Sequence, residues 1–253
     1  MLRFFGTTFL AAAFVLATYL VWVLWGTGLY TVGAQHDLRT DLQEQASGAR
    51  PGRVLRGDAY AVLRIPAIGV NAAVVQGTDV ESLKKGPGHY LKTGNPWNRR
   101  GTVGIAGHRT TYGAWFWSLE ELRRGDRIRL ITARGTFDYE VDRLRIVAPT
   151  AHEVLDFTPK PTLVLTTCNP RFSAAQRLVA FAHRVEVEGG RSEPDLAEGG
   201  LFGEGPAVLS TPEGPTMLVA VVGAGGALVA LLLGTGTAIR RRRERRSGYE
   251  PVR

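Results

Sequence analysis

Cysteine is almost absent from this chain of 253 residues, which holds one, Cys168. A single thiol excludes any disulfide within the chain, although it does not by itself fix the redox compartment. Histidine is scarce as well, at five. Neither a Cys/His cluster nor a pair of carboxylates at ligand spacing occurs, so no metal and no cofactor is expected. There is no internal repeat, which sets aside solenoids and propellers. Charge is missing altogether from two long stretches, residues 4–35 and 215–239.

Those two stretches organise the rest. About 20 consecutive apolar residues cross a bilayer, and Phe4 to Gln35 is rich in Leu, Val, Phe and Trp through its first two-thirds. A cleaved leader ending at Val32-Gly33-Ala34 is the competing reading, but its apolar region should be only about 7–15 residues long. The second stretch runs directly into Arg240-Arg-Arg-Arg-Glu-Arg-Arg. Basic residues beside a membrane helix stay on the cytoplasmic side, so two spans place both termini there and the middle of the chain outside. Much of the net charge of +8 then lies beside the membrane. The Arg run has no interleaved aromatics, which favours anionic headgroups over nucleic acid as its partner.

The expected organisation is a cytoplasmic end and membrane helix (1–36), an extracellular linker with a weak helical pattern (37–57), a globular domain (58–188), a Gly/Pro/Glu-rich linker (189–215), a membrane helix (216–239) and a basic tail (240–253). Within the globular part, β-prone runs alternate with Gly, Pro and Asn: 59–65, 73–75, 102–106, 127–132, 136–141, 144–147, 162–168 and 178–182. Short strands at this spacing predict a mainly β barrel or sandwich. Val80 to Lys85 and Trp117 to Leu122 read as short helices.

Cys168 closes the run Thr162-Leu-Val-Leu-Thr-Thr-Cys, just before Asn169-Pro170. A lone Cys at a strand end is more often a small buried apolar residue than a nucleophile. Context changes that balance here. Gly107-His108-Arg109 follows a second strand-like run and Arg177 opens a third. A thiolate is the nucleophilic form of cysteine and an imidazolium neighbour stabilises it; the same ring can then protonate a leaving amine. An arginine keeps its charge and offers a fork of donors, suited to a substrate backbone and a developing oxyanion.

These residues stand in an ordered series: Leu63-Arg-Ile-Pro-Ala-Ile, Gly86-Pro-Gly-His-Tyr, Gly104-Ile-Ala-Gly-His-Arg, Leu119 to Gly125-Asp126, Tyr139-Glu-Val, Val147-Ala-Pro, Leu165-Thr-Thr-Cys and Arg177-Leu-Val. The series resembles the sortases, cysteine transpeptidases of Gram-positive bacteria, over nearly all of residues 58–188. The resemblance implies a mixed β-barrel of about eight strands with short helices, and carries catalytic roles to His108, Cys168 and Arg177. It implies attack of Cys168 on the Thr-Gly bond of a carboxy-terminal sorting signal, a thioester, and resolution by an amine of a lipid-linked cell-wall precursor. The implied partners are secreted proteins bearing such signals.

The loop His108-Arg-Thr-Thr-Tyr112-Gly is similar to that of class E sortases of actinobacteria, whose Tyr is associated with Leu-Ala-x-Thr-Gly (LAXTG) signals in place of Leu-Pro-x-Thr-Gly. A tyrosine hydroxyl can bond a substrate amide that Ala offers and Pro lacks. Thr167, beside the nucleophile, either lines the signal groove or is simply a β-former. Three departures from the family pattern stand out: Val164 in place of a Thr, Trp115 where Pro often follows, and a carboxy-terminal membrane helix more usual in pilin-polymerising class C enzymes. No Asp-Pro-aromatic lid of the class C kind occurs between His36 and Tyr60. L,D-transpeptidases place Ser-x-Gly or His-x-Gly before the cysteine, and a binding module on a dead scaffold would be expected to lack one of the three catalytic residues. His36, His89, His152 and His183 are not expected to take part.

Overall fold

In a computed structural model of the protein the described residues are 2–22, 27–49 and 54–185. The expected second linker, second membrane helix and basic tail, residues 189–253, lie outside them. The chain separates into two units. In the first, the described part is α1 (Leu2–Val21), whose side chains at Phe5, Phe9, Phe14 and Leu16 are exposed. Among the described residues no helix is long and apolar enough to cross a membrane.

The second unit holds α2 (Thr27–Ala46), β1 (Ala59–Ile65), β2 (Val70–Gln76), α3 (Val80–Lys85), β3 (Gly88–His89), β4 (Gly101–Ala106), β5 (Arg127–Thr132), β6 (Gly135–Val147), β7 (Pro161–Asn169) and β8 (Gln176–Val185). The strands close a barrel in the order β1-β2-β3-β4-β7-β8-β6-β5. Two neighbouring pairs, β2/β3 and β4/β7, are parallel. The mainly β barrel of eight strands agrees with the sequence expectation.

Alternation explains the inward faces. Phe137, Tyr139 and Val141 of β6 point into the core while the residues between them do not, as a period of two requires. The sequence suggests two runs here, 136–141 and 144–147; the chain makes one strand, with a register irregularity between Val141 and Arg143. A bulge absorbs an extra residue without ending the strand. β7 is buried on both faces at Leu163–Thr167, because Val154 and Leu155 of the β6–β7 connection cover Val164, Val179 and Phe181 on its outer side. Strands covered on both sides read as continuous apolar runs. Val164, a departure from the family pattern, fills that outer layer.

The polar stretch after residue 36 differs from the expected linker. Helix α2 continues through it to Ala46 and places Leu38 and Leu42 against Ala59, Val62, Ala73, Val75 and Ile131. The spacing of four puts both leucines on one face. Polar groups fix the docking: Gln35 donates to the Ala73 carbonyl at 2.8 Å and accepts from the Ala73 amide at 2.7 Å, and Arg39 donates to the Asn71 carbonyl at 2.8 Å. Gly86 makes room for this contact, since a Cβ there would lie 2.3 Å from the Gln35 amide nitrogen. Val80–Lys85 is helical as expected, capped by Asp79 through the Ser82 amide. The second expected helix shortens to a 3-10 turn, Leu119–Glu121.

Candidate active site

Register brings the three sequence-predicted catalytic residues together. Cys168 on β7 pairs directly with Arg177 on β8 in the antiparallel ladder. On its other side β7 runs parallel to β4, ending at Ala106 opposite Thr166. The Gly107 amide donates to the Thr166 carbonyl at 3.0 Å and the Thr167 hydroxyl to the Gly107 carbonyl at 2.8 Å, so the two chains stay together past the end of β4. His108 is the next residue, and it emerges at the same end of the β4/β7 pair as Cys168. Gly107 is needed for this path, because a Cβ there would sit 2.6 Å from the Phe116 ring.

Beyond His108 the chain turns tightly. Tyr112, Gly113 and Ala114 have φ of 50°, 84° and 44°. Left-handed backbone at non-glycine residues costs about 1–3 kcal/mol each and clusters where function demands it. The turn is held by the Ala114 amide on the Thr111 carbonyl and the Phe116 amide on the His108 carbonyl. It carries the Tyr112 ring to 5.3 Å from the His108 ring, centroid to centroid, while the Tyr112 amide donates to the Thr27 hydroxyl at 3.3 Å.

The sulfur belongs to a free, half-buried cysteine, which suits a nucleophile that must stay reachable. Burial holds the His108 imidazole below its ordinary pKa, so at neutral pH the ring is predominantly uncharged. A neutral imidazole can take the thiol proton and hold it for a leaving group. Arg177 is half-buried, its Nη1 donating to the carbonyls of Ala174 and Gln176, each at 3.0 Å. Thr167 is buried and its hydroxyl is spent on Gly107, which joins the His108 and Cys168 segments.

The other histidines are placed elsewhere. His36 and His152 are exposed, and His183 pairs with Asp142 at 2.8 Å. His89, expected in a turn, is buried in β3 and stacks on Tyr60 with ring centroids 4.0 Å apart. Among the described residues no group of three or more His, Cys, Asp or Glu is arranged to hold a metal ion. Arg109 received no role from the sequence, where its flanks do not distinguish a buried guanidinium from an exposed one. In the structure it is buried and bonded to the Cys168 carbonyl.

Comparison with known proteins agrees with this geometry. Residues 63–185 match the sortase domain. The chain is 30% identical to sortase SrtE1 of Streptomyces coelicolor over 201 residues, covering 73% of this chain and 57% of that protein. It therefore spans little more than half of that relative's length. Sortase D of Bacillus subtilis is 34% identical over 147 residues, covering 56% of this chain and 72% of that protein. Among solved structures, sortase A of Corynebacterium diphtheriae superposes with a TM-score of 0.51 at 29% identity, covering 59% of this chain and 69% of that one. With its barrel, its paired cysteine and arginine and these relatives, the chain belongs to the sortase family of cysteine transpeptidases.

Proposed function

We propose that the protein is a membrane-anchored, class E-like transpeptidase that cleaves the Thr-Gly bond of a carboxy-terminal sorting signal and transfers the new acyl end to an amine of a cell-wall precursor. The observation that carries this reading is the direct cross-strand pairing of Cys168 with Arg177, with His108 delivered to the same barrel end by β4.

The chemistry follows from those groups. His108 takes the proton of the Cys168 thiol, and the thiolate adds to the threonine carbonyl. The oxyanion is met by the guanidinium of Arg177, released from its loop carbonyls to face it. As the C–N bond breaks, the imidazolium gives its proton to the departing glycine amine, leaving a thioester on Cys168. An incoming amine reverses the sequence: it attacks the thioester, loses a proton to His108, and an amide replaces the C–S bond.

Class E is supported by the Tyr112 loop and by the likeness to a Streptomyces sortase E. Membrane anchoring, with both termini cytoplasmic and the barrel outside, is supported by the two uncharged stretches, the Arg240–Arg246 cluster and the exposed apolar side chains of α1. Such a site would meet tethered substrates and lipid-linked amines at one surface.

The test uses the full chain in detergent with quenched peptides carrying Leu-Ala-x-Thr-Gly or Leu-Pro-x-Thr-Gly, plus a glycine-based amine. Cleavage that disappears in Cys168→Ala, with preference for the Ala peptide, is the expected result. Cleavage of neither peptide by folded protein would point to an inactive binding module.

A further inference from the structure

Beside the three residues assigned above, the same barrel end holds a further side chain, a guanidinium, that is more deeply buried than they are. Arg109 is 5% exposed. Its Nη1 donates to the Cys168 carbonyl at 3.1 Å and to Asn169 Oδ1 at 2.7 Å, and its Nη2 pairs with Glu120 Oε2 at 2.8 Å. Asn169 then donates through Nδ2 to Gln176 Oε1 at 3.0 Å. The carbonyl of that glutamine accepts from Arg177. One guanidinium thus follows His108 in sequence, bonds the nucleophile's own carbonyl, and reaches the arginine strand through one amide side chain. Glu120 is braced in turn by Arg171 from the β7–β8 loop, a side chain that also lies over the Trp117 ring at 4.5 Å.

Register explains why a guanidinium is needed at this point. With Gly107 donating to Thr166, a continuing parallel ladder would next offer the main-chain amide of residue 109 to the carbonyl of residue 168. The β4 strand has ended by then, and the side chain of Arg109 supplies the donor in place of its amide. Stability alone does not account for the choice, since a well-packed apolar pair often replaces a buried ion pair at no cost.

We propose that Arg109 is a positioning residue: its guanidinium stands in for the ladder bond lost where β4 leaves β7, so that His108 turns out of the sheet while Cys168 and Asn169 stay fixed against Arg177. The proposal rests on the reading of Cys168 as the nucleophile and adds a residue that acts through it.

The test compares full-length wild type with Arg109→Lys, Arg109→Met and the double variant Arg109→Met/Glu120→Gln, by peptide cleavage, thermal melting and alkylation of Cys168 with iodoacetamide. Lysine keeps the charge but not the fork that serves three acceptors. Arg109→Lys should lower kcat about 100-fold with little change in KM, the cost of a small misplacement of reacting groups. The double variant should melt close to wild type without recovering kcat. Wild-type kcat in any folded Arg109 variant would overturn the proposal. Cys168→Ala and wild type report separately on the parent reading. Should wild type cleave nothing, alkylation still decides the matter: the Arg109→Met thiol should react several-fold more slowly, and equal rates would defeat the positioning role.

Discussion

The Thr167 hydroxyl donates to the Gly107 carbonyl at 2.8 Å, and the two residues adjoin Cys168 and His108 in sequence. With the hydrogen bond from the Gly107 amide to the Thr166 carbonyl, this bond ties the segment ending in Cys168 to the segment ending in His108. Thr167→Val preserves the shape and removes the donor, leaving a buried carbonyl short of a partner. It should destabilise the domain by about 1–3 kcal/mol and lower kcat, whereas Thr167→Ser should keep both. Chemical denaturation beside steady-state kinetics checks this. A rise in KM alone, at unchanged stability, would return Thr167 to the signal groove.

Arg177 stands opposite Cys168 in the ladder, with its Nη1 held by two carbonyls of its own loop. Arg177→Ala should reduce kcat by about 100- to 1000-fold, the range for losing one oxyanion donor. Arg177→Lys should recover little, because an ammonium lacks the planar fork. Single-turnover thioester formation is the direct measurement, and a defect confined to KM would assign Arg177 to ground-state binding instead.

Tyr112 occupies the strained turn after His108, its ring 5.3 Å from the imidazole. If its hydroxyl bonds the amide of the signal's Ala, Tyr112→Phe removes about 1 kcal/mol of discrimination. The kcat/KM preference for the Ala peptide over the Pro peptide should then fall by several-fold to tenfold. An unchanged ratio would show that selectivity is set elsewhere in the groove.

Much of this was legible in the sequence because strands covered by apolar neighbours leave strong local signals. The runs around Leu63, Leu130 and Leu165 mark three strands of the barrel with little ambiguity, and the strand ends at Ala106 and Asn169 locate His108 and Cys168. What was not legible depends on partners far along the chain. β3 is two residues long and has no periodicity to detect. Gln35 reads as the end of an uncharged run, yet its role is to bond Ala73, 38 residues away. Arg109 is one of many arginines until β4 ends and the guanidinium finds Cys168, Asn169 and Glu120.

His89 gives the barrel a pH-dependent stability remote from catalysis. It is 1% exposed, stacked on Tyr60 and bonded to Gln76 and the Gly94 carbonyl. Burial depresses its pKa from 6.5 to about 4. The folded state thus binds this proton less readily than the unfolded chain, so the stability is present at neutral pH and is lost as pH falls from about 6.5 toward 4. Linkage puts the loss at up to about 3 kcal/mol. Denaturation midpoints at several pH values should decline over that interval in wild type and decline less in His89→Gln. Parallel curves would place the acid sensitivity in other groups.

The docking of α2 changes where the catalytic domain begins. Leu42 is fully buried, and with Leu38 it covers Val62, Val75 and Ile131, which would otherwise face water. Leu42→Ala should cost about 2–5 kcal/mol, as for other fully buried leucines. A domain starting at Thr27 should melt well above one starting at Asp58, which loses both leucines and the Gln35 and Arg39 hydrogen bonds to β2. The shorter domain should also cleave more slowly, because the Thr27 hydroxyl accepts from the Tyr112 amide and so steadies the turn beside His108. Restoring α2 as a separate peptide should raise both the melting temperature and the rate of the shorter domain if the helix acts through these contacts. Equal melting temperatures for the two domains would instead show that the barrel closes its core without α2.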